Sequence, residues 1–182
     1  MDQAIDDTKL MARVRAGDEL AFELLFRRYE ARLYAYLWRR VRDEELAADL
    51  TQETFVRLWQ SRLRWQDSGS MGAYLIRTAQ RLTIDEYRRR EVRNRWSQDA
   101  AVASASAVRA PDQDLEEREL RLRLDEAICA LPERTREVFI LKRDAGLSYR
   151  EIAELMEISP KTVDAHMNRA LRQLRDRLAD LR

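Results

Sequence analysis

Four glycines and three prolines in 182 residues leave few places to break a helix, and no run of alternating β-branched residues offers a strand. An all-α protein is expected, rich in Leu, Ala, Arg and Glu. The single cysteine, Cys129, cannot form an internal disulfide; flanked by Ile128 and Leu131, it reads as a small buried apolar group rather than a redox switch. No apolar run approaches the roughly 20 residues of a membrane span, and the first seven residues lack the basic-then-apolar order of a signal peptide. A cytoplasmic protein without membrane insertion is expected. Catalytic and metal chemistry lack their usual means. Asp49 and Glu53 stand four apart, as carboxylate ligands do in helical bundles, but no Glu-x-x-His accompanies them, and the one histidine, His166, lies far along the chain. There is also no Gly-rich phosphate loop and no Gly-x-Ser-x-Gly elbow. No catalytic residue, metal or cofactor is expected.

The net charge of +1 gives no whole-chain sign of a nucleic-acid partner. Its distribution says more. Residues 81–95 hold six arginines (81, 88, 89, 90, 93, 95) against Asp85, Glu86 and Glu91, and residues 159–178 hold Lys161 and four arginines against Asp164 and Asp176. Two separate basic surfaces follow.

Punctuation divides the chain into helices. Asp7 can cap a first helix that Gly17 ends, and Asp18 a second running to about Val41, with Leu20, Leu24, Leu25, Tyr29, Leu33, Tyr36 and Leu37 inward. Asp43 starts a third helix to about Arg62, its inner side formed by Ala47, Leu50, Thr54, Phe55 and Leu58. The stretch 66–69 reads as a turn. Ser70 then caps a fourth helix to about Arg93. Residues 97–114 are Ala, Ser, Val, Asp and Gln with Pro111, the composition of a linker. A second domain follows, with a helix carrying Leu120, Leu124, Ala127, Ile128 and Leu131, and another begun by Pro132 and carrying Val138, Phe139 and Leu141. The domains are drawn at 8–94 and 114–181, with a linker at 95–113. Each is small enough to lean on a partner.

The segment 148–178 reads as a helix-turn-helix. Ser148 and Glu151 make a capping box, and Ser159-Pro160 starts a second helix a few residues after the first ends. Ile152, Ala153 and Met156 line one face of the first helix, and Ile158 fills the turn. Val163, Met167, Ala170, Leu171, Leu174 and Leu178 line the inner face of the second. The outer face then carries Lys161, Thr162, Asp164, Ala165, His166, Asn168, Arg169 and Arg172, donors and cations on a helix of the size that enters a major groove. An antiparallel helix pair without DNA binding is the alternative, since Glu157 stands where such turns often have Gly.

Two further surfaces are candidates. Asp49, Gln52 and Glu53, with Val56 and Trp59 at the edge, form either a solvated helix face or a protein-docking face. Tyr74, Arg77, Arg81, Ile84 and Arg88 share one side of the fourth helix, giving guanidiniums for phosphates and a ring that can stack on an exposed base. In the other reading Tyr74 is a core aromatic and the arginines pair with Asp85, Glu86 and Glu91. Trp65 and Trp96 fit packing roles at the domain margin.

Four motifs occur in order: DLTQETFVRLW at 49–59, YLIRTAQRLTIDEYRRR at 74–90, LPERTREVF at 131–139, and YREIA at 149–153 with RALRQL at 169–174. Together they resemble the extracytoplasmic-function sigma factors of bacterial RNA polymerase, nearly end to end. The resemblance implies that 8–94 is a sigma-2 domain, docking on the clamp of the polymerase core and opening the minus-10 promoter element. By the same resemblance, 114–181 is a sigma-4 domain that binds the flap and reads the minus-35 element, the linker threads toward the RNA exit path, and an anti-sigma factor is a possible partner. Asp49, Gln52, Glu53 and Trp59 match the polymerase-docking segment. Tyr74, Arg77, Arg81, Asp85, Arg88 and Arg89 match the promoter-melting helix, although Tyr74 stands where the family commonly has Trp and Arg81 where it commonly has Asn. Lys161 replaces a frequent Gly in the recognition helix; Thr162, Val163, Arg169 and Ala170 fit. Minus-35 contacts are expected from Lys161, Thr162, Asp164, His166, Arg169 and Arg172. Two other readings stand beside this one: a stand-alone helix-turn-helix regulator with an N-terminal dimerisation or sensor domain, and a helical enzyme or metal carrier.

Overall fold

A computed structural model describes residues 6–65, 70–96 and 115–179, with the backbone alone at 93–96, 115–118, 120 and 121. The turn expected at 66–69 and the linker expected at 97–114 lie outside the described residues. So do the side chains of Arg93, Arg95, Trp96 and Leu120. Every element among the described residues is helical, and the chain forms two compact units.

The first unit contains α1 (Asp7–Arg15), α2 (Glu19–Val41), α3 (Glu44–Ser61), a single 3-10 turn over Arg62–Arg64, and α4 (Met71–Trp96). Side-chain caps fix the starts of the three long helices. Asp18 accepts from the Ala21 N–H at 3.1 Å, Asp43 from Leu46 at 3.0 Å, and Ser70 from Ala73 at 3.1 Å, each satisfying an amide left over in the first turn. The Ala21 amide, helped by the Arg13 guanidinium, holds the Asp18 carboxyl below its ordinary range. Gly17, at φ +89°, makes the reversal between α1 and α2 that an L side chain would strain. Leu25, Leu33, Tyr36 and Leu37 of α2 meet Ala47, Leu50, Phe55 and Leu58 of α3 and Leu75, Ile76, Ala79 and Leu82 of α4 in one core. The threonines buried there, Thr51, Thr54 and Thr83, return their hydroxyls to the carbonyls four residues back at 2.7, 2.7 and 2.8 Å, so no polar group is orphaned on their account.

Two expectations fail in this unit. Asp7 does not cap α1: the cap position is Asp6, and the Asp7 carboxylate instead accepts from Arg28 and from the Tyr29 hydroxyl across on α2. The half-buried carboxylate satisfies the Tyr29 hydroxyl where α1 packs on α2. Leu20 and Leu24 are exposed rather than inward, at 69% and 44%. They fall opposite Phe22, and Phe22 and Phe26 occupy the seam with α3, edge-on or tilted to Phe55 at 6.3 and 4.7 Å.

The second unit contains α5 (Leu115–Cys129), α6 (Glu133–Arg143), α7 (Tyr149–Met156) and α8 (Pro160–Leu178). Its core joins Ala127, Ile128, Leu131, Val138, Leu141, Leu147, Ile152, Val163, Met167, Ala170 and Leu174. The capping box is present in both directions: the Glu151 N–H donates to Ser148 Oγ at 3.3 Å and the Ser148 N–H to Glu151 Oε2 at 2.6 Å. Ser159 caps α8 through the Thr162 amide at 3.1 Å, with Pro160 at the first helical position. Glu157 takes the left-handed conformation, φ +55°, that a glycine would supply in this turn. The turn therefore closes without glycine, and its cost is held by Ile158, whose N–H reaches the Ala153 carbonyl at 3.0 Å. Cys129 is exposed, contrary to its apolar neighbours: α5 ends there, and Ala127, Ile128 and Leu131 fill the core instead. Leu171 is likewise 47% exposed, outside the stripe set by Val163, Met167, Ala170 and Leu174.

Candidate nucleic-acid interface

The face of α3 away from the core presents Asp49 and Gln52 fully and Glu53 in part, beside Val56 at 44% exposure. Glu53 accepts from Arg57 Nε at 2.7 Å, so its carboxylate is steered along the helix. Trp59 is half-buried and held on two sides. Phe22 meets it edge-on at 5.1 Å, and the Arg62 guanidinium lies 4.3 Å from its ring centre while donating to its carbonyl at 2.8 Å. Arg62 was not legible as a partner of Trp59, because this contact depends on the 3-10 turn that follows α3. An acidic and amide face ending on a fixed indole is chemistry for binding a basic, partly apolar protein surface.

On α4, Arg77, Arg81, Ile84, Asp85, Arg88 and Arg89 are all exposed. From Arg77 to Arg88 the guanidiniums follow the helix for about 16 Å, at 1.5 Å per residue. Arg90 leaves this row: it binds Glu86 at 3.1 Å and reaches Asp43 at 3.7 Å, tying α4 to the start of α3. Tyr74 lies at the head of the row but is half-buried. Its hydroxyl shares a hydrogen bond with Ser61 Oγ at 2.8 Å, and Trp65 stands edge-on to it at 4.7 Å. Tyr74 is thus partly a packing aromatic, on the same side of α4 as Arg77 and Arg81. Ser61 and Trp65 were not legible as its partners, since the 3-10 turn brings them there.

On α8, Lys161, Thr162, Asp164, Ala165, Asn168, Arg169 and Arg172 are exposed. The Thr162 hydroxyl is turned to Ser159 Oγ at 2.8 Å, and Asn168 Nδ2 donates to Asp164 Oδ2 at 3.0 Å. His166 departs from the outward set. It is half-buried, with Nδ1 3.1 Å from the hydroxyl of Thr135, a buried residue of α6. At 100° per residue, position 166 sits on the flank nearer the core than positions 161, 165 and 168, which is why the ring turns in. The α8 face available to a groove is therefore Lys161, Ala165, Asn168 and Arg172, with Asp164 and Arg169 beside it.

Residues 25–93 match the family described as Sigma-70 region 2, and residues 121–174 match Sigma-70, region 4. The chain is 34% identical over 172 residues to RNA polymerase sigma factor CarQ of Myxococcus xanthus, covering 94% of this chain and 97% of that protein. It is 28% identical to the ECF RNA polymerase sigma factor SigW of Bacillus subtilis, over 95% of this chain and 97% of SigW. Among solved structures, the fold is similar to CnrH in complex with the cytosolic domain of CnrY, with a TM-score of 0.69 at 23% identity, covering 96% of this chain and 97% of that one. The sigma factor RpoE of Bartonella quintana, solved with the anti-sigma factor NepR, has a TM-score of 0.66 at 20% identity, covering 87% and 96% of the two chains.

Proposed function

The chain belongs to the extracytoplasmic-function group of the sigma-70 family, and from that membership we propose how its surfaces divide the work of promoter use. As an RNA polymerase sigma factor it binds the core enzyme and promoter DNA and directs initiation. In the division proposed, residues 8–94 act as the sigma-2 domain. The α3 face of Asp49, Gln52, Glu53 and Trp59 docks on the clamp. The α4 row of Arg77, Arg81, Arg88 and Arg89 holds the minus-10 strand while Tyr74 stacks on an exposed base. Residues 114–181 act as the sigma-4 domain, bound to the flap, with the α8 face in the major groove of the minus-35 element. Residues 95–113 connect them along the RNA exit path.

What supports this most is that Asp49 and Gln52 on α3, Arg77, Arg81 and Arg88 on α4, and Lys161 and Arg172 on α8 are exposed on helix faces opposite buried stripes. A stand-alone regulator would account for the helix-turn-helix but not for the match of residues 25–93 to region 2. Sigma factors are initiation subunits rather than catalysts, and no cofactor enters the proposal. Among the described residues no helix is long and apolar enough to cross a membrane, and the site of action proposed is the cytoplasm, where core polymerase works. CnrH and the Bartonella RpoE are held by CnrY and NepR; by that likeness an anti-sigma partner is proposed here too. Transcription in vitro from a promoter library, with core polymerase and the full chain, tests the proposal. Chain-dependent initiation from a subset sharing minus-35 and minus-10 sequences is expected. Tight operator binding without core, and no stimulated transcription, would replace it with the stand-alone regulator.

A further inference from the structure

Asp164 is out of place on a face that meets phosphates, because a carboxylate there is repelled by the backbone it approaches. The structure supplies a reason for it. Asn168, one turn further on, donates Nδ2 to Asp164 Oδ2 at 3.0 Å, and both side chains are exposed. The opposite amide orientation would set two oxygens against each other, so the carboxylate fixes which way round the amide stands. Asn168 also has the right place. It is two turns from Lys161 and within about 20° of it around the helix, and the exposed Ala165 between them keeps the helix surface low enough for a close approach.

With one N–H given to Asp164, Asn168 still offers its other N–H and its Oδ1, a donor and an acceptor side by side in one plane. Of the four bases, only adenine presents the complement along its major-groove edge, the N7 acceptor beside the N6 donor. Guanine offers two acceptors, cytosine a lone donor, and thymine an acceptor beside a methyl. We propose that Asn168, oriented by Asp164, reads an adenine in the upstream promoter element, with Asp164 as a positioning residue rather than a reader. This rests on α8 being the helix that enters the groove.

The test is transcription by the full chain with core polymerase from a library randomised across the upstream element. One position should favour adenine by roughly 5- to 150-fold, the span of a good bidentate base contact. Asn168→Ala should flatten that position alone. Asp164→Ala should weaken the same preference part-way, and so should Asp164→Asn, whose amide can turn to donate to Asn168 Oδ1 and so no longer fixes the orientation. Preferences unchanged in Asn168→Ala would overturn the inference. So would Asp164→Ala erasing a cytosine preference at a position that Asn168→Ala leaves intact, since Asp164 would then be reading a base itself. A wild-type profile flat across the whole upstream element would overturn the groove assignment of α8 along with it, whereas a structured profile indifferent to Asn168 overturns this inference alone.

Discussion

Exchanging Asp49 and Glu53 for lysine asks whether the outer face of α3 is the surface that docks on polymerase, because the change is cheap for the fold and severe for the interface. Asp49 is exposed. Glu53 gives up its 2.7 Å pair with Arg57, whose two side chains are 42% and 52% exposed. Such an exposed pair is worth about 0.3–0.5 kcal/mol, and a like charge at the same spacing costs a similar amount. The sum stays near 1 kcal/mol, which lowers the melting temperature of a domain this size by about 4–8 °C. If the two carboxylates meet basic groups in a desolvated interface, losing them costs about 2–5 kcal/mol, a weakening of roughly 30-fold or more in Kd. Circular dichroism on heating reads the first quantity, and a fluorescence titration with core polymerase reads the second. Asp49→Lys alone leaves the Glu53–Arg57 pair in place and should weaken core binding with no measurable loss of stability. Core affinity within about threefold of wild type in the double variant, with helicity intact, would refute the docking assignment.

Tyr74→Ala should leave promoter recruitment nearly intact and reduce strand opening, since a stacking platform is worth about 1–3 kcal/mol per base and acts only on an unpaired base; permanganate reactivity of minus-10 thymines reads this, and normal reactivity would return Tyr74 to a packing role. Tyr74→Phe isolates the Ser61 hydrogen bond and should cost only about 0.5–1.5 kcal/mol of stability with opening preserved. Lys161→Ala should relax preference at one minus-35 position, whereas Arg172→Ala should weaken all promoters alike and lower the salt slope by about 0.9; identical, uniform losses from both would contradict the assignment. Alkaline pH should expose Tyr29, whose hydroxyl is raised well above its ordinary 10.0, first by burial and then by the Asp7 carboxylate. The unfolded chain then loses this proton at a lower pH than the folded one, so the stability Tyr29 contributes is complete below about pH 10 and falls as pH rises beyond it. Urea unfolding across that range should show the decline, shallower in Tyr29→Phe; equal slopes in the two proteins would count against it.

Caps and buried stripes were legible because each is set by residues close in sequence. Asp18, Asp43, Ser70, Ser148 and Ser159 cap as their spacing predicts, and the α3 and α8 stripes are buried where a 3.6-residue period puts them, Leu171 and Leu178 apart. The misreadings share a different cause. Asp7, Leu20, Leu24, Cys129 and His166 sit at helix ends or flanks, where a neighbouring helix decides which side is covered. Local pattern cannot say that Tyr29 and Arg28 will claim Asp7, or that Thr135 of α6 will draw in the His166 ring. At the candidate surfaces, the exposure of most residues was readable, but the contacts that orient side chains were not. Ser61 and Trp65 on Tyr74, and Arg62 on Trp59, all arise from the 3-10 turn between α3 and α4.

That turn gives the first unit a property the separate faces lack. Arg62 stacks on Trp59, at the end of the proposed α3 docking face, and Ser61 and Trp65 hold Tyr74, at the head of the α4 arginine row. Three residues within five consecutive positions thus touch an aromatic of each proposed surface. Arg62 Nη1 is spent on the Trp59 carbonyl, and among the described residues its buried Nε has no hydrogen-bond partner. The α8 face has no such link. His166 and Thr135 anchor its flank to α6, while Lys161, Asn168 and Arg172 stand on the opposite side of the helix. If α8 reads the upstream element as proposed, substitutions at Lys161, Asn168 or Arg172 should change that reading while the His166–Thr135 contact still holds the helix to α6.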